Sequence, residues 1–319
     1  MNVTRLPVLL LLVTLLAAPI SSYAVNDNAG TSAFPFLKIN VGARPVSMGG
    51  AFTGLANDAT ALYYNPAGIA SMEDGGYIFG YHNYFVDLQS GFVGIIRPVG
   101  FDKTLAGYVN YLNYGDMTET DRLGEVVGEF GGGNAVFGLT FAMQHTRQFQ
   151  FGATAKFIYE KVHDYSATGM AFDVGVRYAS DRERYTAGVM IQNLGFQFSG
   201  LGEEKDRLPM ALRIGGSANF RDFPMLFVSD LIVPVDNNPV FAIGAEYFEL
   251  KPFYLRIGWN SFGSNYRTSD SEDNWAGLSL GVGFDIDDLG ILKHAHLAYS
   301  YSPGADLGES HRITLTGGR

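Results

Sequence analysis

The feature that most constrains this chain is a period of two. From Gly76 to the end, apolar and polar side chains alternate in one segment after another. Phe149, Phe151, Ala153, Ala155, Phe157 and Tyr159 fall on one face of an extended segment, with Gln150, Thr154 and Lys156 on the other. Leu212 and Ile214 alternate with Arg213; Phe253, Leu255, Ile257 and Trp259 alternate with Tyr254, Arg256 and Asn260. Successive side chains of a β-strand point to opposite faces, so a sustained period of two marks strands that are apolar on one side. The segments run about nine to twelve residues, the length a tilted strand needs to cross a bilayer. Strands of soluble domains run about five or six.

We place strands at 77–86, 90–98, 103–112, 134–145, 149–160, 167–179, 184–193, 209–220, 225–233, 239–248, 252–260, 275–286, 293–301 and 310–317. That is about fourteen, and bacterial single-chain barrels have an even number. Hydrocarbon offers no partner for a backbone N–H or C=O, so a sheet in lipid has to close on itself. The expected fold class is all-β, a transmembrane antiparallel β-barrel over 76–319. Its outer face must be apolar, while its lumen can carry charge. Lys156, Glu160, Asp173, Arg177, Arg213, Arg221, Glu246, Arg256 and Asp285 all fall on the inward faces, and their mixed signs predict a partly paired network. The 40 glycines, 18 tyrosines and 24 phenylalanines suit such a wall, although soluble sandwiches and propellers also use glycine turns and aromatics.

The connectors test the barrel independently. Outer-membrane barrels have short turns at the periplasmic end and longer loops outside. With the N-terminus in the periplasm, the odd-to-even connectors are external. Those at 113–133, 194–208, 261–274 and 302–309 are long or charged, and those at 145–148, 180–183, 223–224 and 249–251 are short. Two disobey: 87–89 is short for an external loop and 287–292 is long for a periplasmic turn.

Upstream of the strands the pattern is different. Arg5 precedes an apolar run from Leu6 to Ile20, and Ser22-Tyr23-Ala24 offers small residues for cleavage, so 1–24 reads as a signal peptide and Val25 as the mature start. Residues 25–75 read as an N-terminal segment with a small helical plug. Within 42–70 the small residues Gly49, Gly50, Ala51, Gly54, Ala56, Ala59 and Ala61 permit close packing against a wall. Helices are expected at 45–55 and 58–64, with Asn57 or Asp58 capping the second. Asn65-Pro66-Ala67-Gly68 should stop that helix, with the Asn65 side chain serving open backbone groups and Pro66 turning the chain toward the first strand.

Little else carries chemistry. With no cysteine there is no disulfide framework or thiolate metal site, and a net charge of −10 argues against a nucleic-acid surface. His294 and His296 lie two apart on one strand, without a third metal ligand in sight. The acidic run from Asp285 to Asp288 reads as a solvated turn rather than a calcium loop. Ser310-His311 lacks an elbow motif, and neighbours on a strand point apart. The glycines of 49–54 lack the Lys-Ser/Thr of a phosphate loop. We expect no enzyme activity, no catalytic residue, no metal and no cofactor.

The segment from Phe36-Leu37-Lys38-Ile39 through Asn65-Pro66-Ala67-Gly68 resembles the N-terminal signature of the PorV/PorQ outer-membrane proteins, within the FadL-like group of barrels. Leu307 to Ile313 resembles that family's approach to its last strand. The ending Thr316-Gly317-Gly318-Arg319 departs from the usual terminal aromatic residue. The resemblance to PorV/PorQ implies an outer-membrane protein that supports type IX-like secretion or surface attachment, with secretion subunits or exported cargo as partners besides lipid. The wider FadL resemblance implies the alternative, uptake of hydrophobic small molecules past an N-terminal plug that rearranges. The inward faces are charged and glycine-rich rather than apolar, which favours the first.

Overall fold

The computed structural model describes residues 28–85, 88–220, 223–266, 275–289, 292–304 and 308–318. The expected signal peptide and its cleavage site, Arg221 and the connector at 290–291 lie outside these. Fourteen antiparallel strands close into one barrel, each paired with its chain neighbours and the first with the last. They are β1 (Gly76–Asn83), β2 (Gln89–Pro98), β3 (Lys103–Thr120), β4 (Val126–Gln144), β5 (Phe149–Val162), β6 (Tyr165–Ala179) and β7 (Tyr185–Ser199). The second half holds β8 (Ala211–Asn219), β9 (Met225–Pro234), β10 (Val240–Tyr247), β11 (Phe253–Asn260), β12 (Leu278–Leu289), β13 (Leu292–Pro303) and β14 (Glu309–Gly317).

The period of two becomes the two faces of the wall. Along β5, Phe149, Phe151, Phe157 and Tyr159 are exposed while Gln150, Thr154, Lys156 and Glu160 are buried. The same split runs through β11, where Leu255 and Ile257 face outward and Arg256 is buried. An outer belt of exposed phenylalanine, leucine, valine and isoleucine on nearly every strand is a surface for hydrocarbon rather than water.

Two connectors differ from expectation, and each difference has a physical cause. The stretch 113–133 is mostly paired strand: β3 and β4 continue as a ribbon to a turn at 121–125, where the Asp121 carboxylate accepts from the N–H groups of Leu123 and Glu125. A register shift between Asn113 and Asp116, with Gly115 at φ 70°, bends the ribbon where it leaves the barrel. Gly131, Gly132 and Gly133 therefore belong to β4 rather than to a loop. A side chain on Gly133 would lie 2.8 Å from the Leu112 carbonyl oxygen, so glycine there serves close strand approach. The connector expected at 287–292 tightens as well: Leu289 pairs with Leu292, which removes an exception to the sorting of loops by end.

The plug is real but less helical than expected. Instead of helices at 45–55 and 58–64, it has two single-turn helices, α1 (Ala43–Val46) and α2 (Ala61–Tyr64), with 3₁₀ turns at Pro35–Lys38 and Pro66–Ser71. Gly49 and Gly50, at φ 72° and 83°, end the first helical stretch in the left-handed region. Nearly all of 42–70 is buried, and Phe52, Leu62, Tyr64 and Ile69 have no exposed surface. The hydrophobic core of this protein is therefore the plug itself, packed inside the barrel.

The chain enters the barrel from the end opposite to that assumed. Ser32 bridges to Arg207 and Lys38 pairs with Asp236 at 2.7 Å, which puts the first described residues at the end of the long loops. From there the chain crosses the lumen and starts β1 at the short-turn end. The parity of the connectors is unaffected, because it depends only on where β1 begins.

Candidate functional site

The site is the filled lumen, and the wall is built for its plug. Glycines face inward on six strands at the plug: Gly152, Gly175, Gly188, Gly244, Gly258 and Gly281. A side chain on any of them would overlap plug atoms; on Gly244 its Cβ would lie 2.5 Å from Met48 Cβ. The plug answers in kind. A Cβ on Gly49 would lie 2.5 Å from the Trp259 carbonyl oxygen, and one on Gly54 would lie 2.6 Å from that of Gly215. Backbone thus meets backbone across the interface, which leaves little room for water between them.

The turn Asn65-Pro66-Ala67-Gly68 locks this contact. Asn65 Oδ1 accepts from the Ala67 N–H at 3.2 Å, capping the 3₁₀ turn. Its Nδ2 donates to the Thr53 carbonyl at 2.9 Å and to the Val176 carbonyl of β6 at 3.1 Å. Pro66 sits against Gly152, and Gly68 allows the chain to pass Ala56. All four residues are buried.

The expected lumen charges divide into two sets. Lys156 and Asp173 pair with each other at 2.6 Å and both bond Asn193 of β7. Arg177, Arg213, Glu246 and Arg256 engage it or its anchors. Arg177 Nε donates to the carbonyls of Gly54 and Leu55, its Nη1 to Gln150 and its Nη2 to Glu183. Arg213 donates to the Gly50 carbonyl at 3.0 Å and lies over the Tyr64 ring. Glu246 accepts two parallel bonds of 2.9 Å from plug residue Arg44 and one of 2.6 Å from Arg256.

Two anchors escaped the sequence reading. Arg44 also donates to Asp58 at 2.7 Å and to Asn57 at 2.8 Å, so one buried guanidinium joins two plug side chains to the wall. Asp230 of β9 accepts from the N–H groups of Phe52 and Thr53 and from the Thr53 hydroxyl. A lone arginine within a small-residue stretch and a lone aspartate within the apolar run of β9 were the available signals. Asp58 does not cap a helix. Its Oδ1 accepts from the Thr60 N–H and hydroxyl. Burial works to raise the Asp58 carboxyl, and the Arg44 charge with the bonds from Thr60 outweighs it, holding the group below its ordinary value.

The remaining candidates resolve as ordinary structure. His296 binds Asp285 at 2.6 Å and Arg256 at 2.8 Å, whereas His294 is exposed. Asp285 also accepts from Tyr254, and the side chains of Asp287 and Asp288 lie outside the described residues. Among the described residues no three potential ligands gather for a metal. Ser310 is buried and meets His82 at 2.8 Å, while His311 bonds Tyr299, so the two neighbours do not form a pair.

Among the described residues, two cavities lie at the two ends of the plug. One, of about 180 Å³ at the long-loop end, is bordered by Leu37, Ile39, Tyr63, Phe85, Ile232 and Phe262, with Gln192, Asn193, Arg213 and Arg312 among its polar neighbours. The other, of about 220 Å³ at the short-turn end, is bordered by Arg44, Asp58, Met72, Asp285, His296 and Thr316.

No family model matches the sequence, and no curated protein matches it. Solved structures do match. The Pseudomonas putida toluene transporter TodX superposes with a TM-score of 0.55 at 13% identity, over 85% of this chain and 95% of that one. The monoaromatic hydrocarbon channel CymD gives 0.56 at 14%, over 89% and 97%. This chain has their fold. A Pseudomonas aeruginosa FadL homologue gives 0.55 at 11%, over 93% and 99%. The likeness extends to FadL-type barrels, and the narrower PorV/PorQ resemblance rests on the sequence.

Proposed function

We propose that this chain is an outer-membrane channel that admits hydrophobic small molecules. The observation that carries this reading is where the lumen charge goes. Charged, glycine-rich inner faces argue against an apolar passenger only if they face it. Here the glycines and Arg177, Glu246 and Arg256 are taken up by the plug and its anchors, and Arg213, which borders the open pocket, is bonded to the Gly50 carbonyl. What remains open at the long-loop mouth is a pocket with a large apolar share, set by Leu37, Ile39, Tyr63, Phe85, Ile232 and Phe262. The likeness to TodX and CymD, themselves hydrocarbon channels, supports the same reading. Export through a signal peptide cleaved before Val25 and residence in the outer membrane belong to it.

The test is the initial rate of radiolabelled toluene uptake by cells whose lipopolysaccharide-bearing outer membrane carries the barrel, because a plain phospholipid bilayer passes toluene unaided. A rate above that of cells lacking the barrel, and competition by a second apolar compound, are expected. A rate equal to that of cells lacking the barrel ends the reading.

The Phe36–Ile39 and Asn65–Gly68 resemblance supports a second reading, type IX-like secretion or surface attachment with exported proteins as partners. A pull-down from detergent-solubilised outer membrane separates the two. Co-purified secretion subunits or cargo favour the second, and bound apolar compound alone favours the first.

A further inference from the structure

The two lumen cavities lie against the same three strands, at opposite ends. The long-loop cavity meets β12 at Ser279, β13 at Ser302 and β14 at Arg312. The short-turn cavity meets β12 at Asp285, β13 at His296 and β14 at Thr316. Ser279 and Asp285 are six positions apart on one strand, roughly 20 Å. Between them the wall carries only small side chains: Gly281, Gly283, Ala298, Ser300 and Thr314.

What fills the level of Gly281 and Thr314 is α1, while the Arg256 guanidinium and His296 lie over Gly283. The Ala43 N–H donates to Thr314 Oγ1 at 2.9 Å, and Ser47 lies against Gly281. Arg44 borders the short-turn cavity and Val46 the long-loop cavity, so one helical turn separates them. The Ser300 hydroxyl at this level is buried without a hydrogen-bond partner. With α1 displaced, the wall beside Gly281, Ser300 and Thr314 would open, with Arg256 still in place over Gly283.

We propose that the route across the plug runs along β12–β14, that α1 is its partition, and that Arg44 holds the partition shut. The proposal rests on the channel reading above. Arg44 suits the role because its three side-chain partners, Glu246, Asp58 and Asn57, tie α1 both to the wall and to the rest of the plug. The anchor at Asp230 holds Phe52 and Thr53 against β9 instead.

Ser47 offers a reporter. It is fully buried beside α1, and the chain has no cysteine of its own. Ser47→Cys should react slowly with a water-soluble maleimide in the reconstituted barrel. Adding Arg44→Met should raise that rate roughly a hundredfold, the effect of losing a buried ion pair on a local opening equilibrium. Adding Asp230→Asn should leave it nearly unchanged. An unchanged rate with Arg44→Met overturns the proposal, as does an equal rise with Asp230→Asn, because the plug then moves as a whole. Glu246 keeps Arg256 in the Arg44→Met protein, which favours assembly. Should that variant still fail to insert, Asp58→Asn carries the same test. If labelling rises in Arg44→Met while cells carrying the barrel take up toluene no faster than cells without it, the channel reading fails and the partition stands.

Discussion

Asn65 Nδ2 lies 3.1 Å from the Val176 carbonyl, a bond from the plug to an oxygen of the β6 backbone. The same amide group reaches back to Thr53, so one side chain ties two plug segments to the wall. Asn65→Leu removes these bonds and leaves the buried Thr53 carbonyl without its partner, at about 1–3 kcal/mol. Its branched end would also crowd Gly175, whose Cα the Asn65 oxygen approaches. The strands lose no partner among themselves. The expected product is a correctly inserted barrel with raised ion conductance in planar bilayers and unchanged heat-modifiable migration on gels.

The outer face makes a separate prediction. Leu212 and Ile257 are exposed at 38% and 49% on the apolar belt. An arginine near the bilayer midplane costs about 2–4 kcal/mol, so Leu212→Arg and Ile257→Arg should each reduce the assembled fraction. Thr118→Arg, on the exposed ribbon beyond the barrel, should not. Ser217 is no neutral control, because its hydroxyl bonds Thr186 at 2.6 Å inside a filled lumen. Folded fractions after reconstitution decide the comparison.

The wall glycines can be tested in the same assay. Gly258→Ala would drive a methyl into the backbone of Met48 and Gly49, and Gly152→Ala into that of Pro66 and Ala67. Neither contact is with a flexible side-chain end, so relief requires the plug to shift, at about 1–3 kcal/mol. Gly107→Ala would meet its nearest atom at 3.6 Å, an ordinary contact. Lower thermal stability in the first two variants and none in the third is the expected result.

These three cases mark how far the sequence could be read. The strand faces were legible because lipid on one side and plug on the other impose opposite chemistry on adjacent residues. Lys156, Arg213 and Arg256 fall where the alternation puts them. The plug's short helices were not legible, since its small residues fit a helix as well as an irregular chain pressed on a wall. The role of Gly152 or Gly258 depends on a backbone from a distant segment, and no local pattern encodes that. Lumen charge could not be weighed for the same reason: Arg177 and Glu246 face inward as expected, and what they meet there is the plug and its anchors.

Acid should act on the plug through Asp58. Its carboxyl is held below the ordinary value, so it contributes stability above the unfolded value of about 3.9. That contribution is lost as pH falls through the still lower folded value. Conductance should therefore be as low at pH 5 as at pH 7 and should rise only below about pH 4. Asp58→Asn should conduct more at pH 7 and lose part of the acid response. A wild-type channel that opens between pH 7 and pH 5 would point to another group.

Deleting 42–70 tests the plug as a whole. Barrel closure does not depend on it: β1 pairs with β14 over seven residue pairs, all outside the deleted stretch. The deletion removes Arg44 from Glu246, but Arg256 remains 2.6 Å away to hold that carboxylate. Asp230 keeps Arg213 at 3.4 Å, and both gain water. The wall charges that were buried become the lining of an aqueous pore, where they cost little. The shortened protein should insert, migrate as a heat-modifiable barrel and conduct well above the Asn65→Leu variant, since it lacks the obstruction rather than loosening it. Toluene uptake should lose its saturation, because the mouth pocket loses Tyr63. A deletion protein that inserts yet conducts no better than the full chain would mean that 42–70 does not close the lumen.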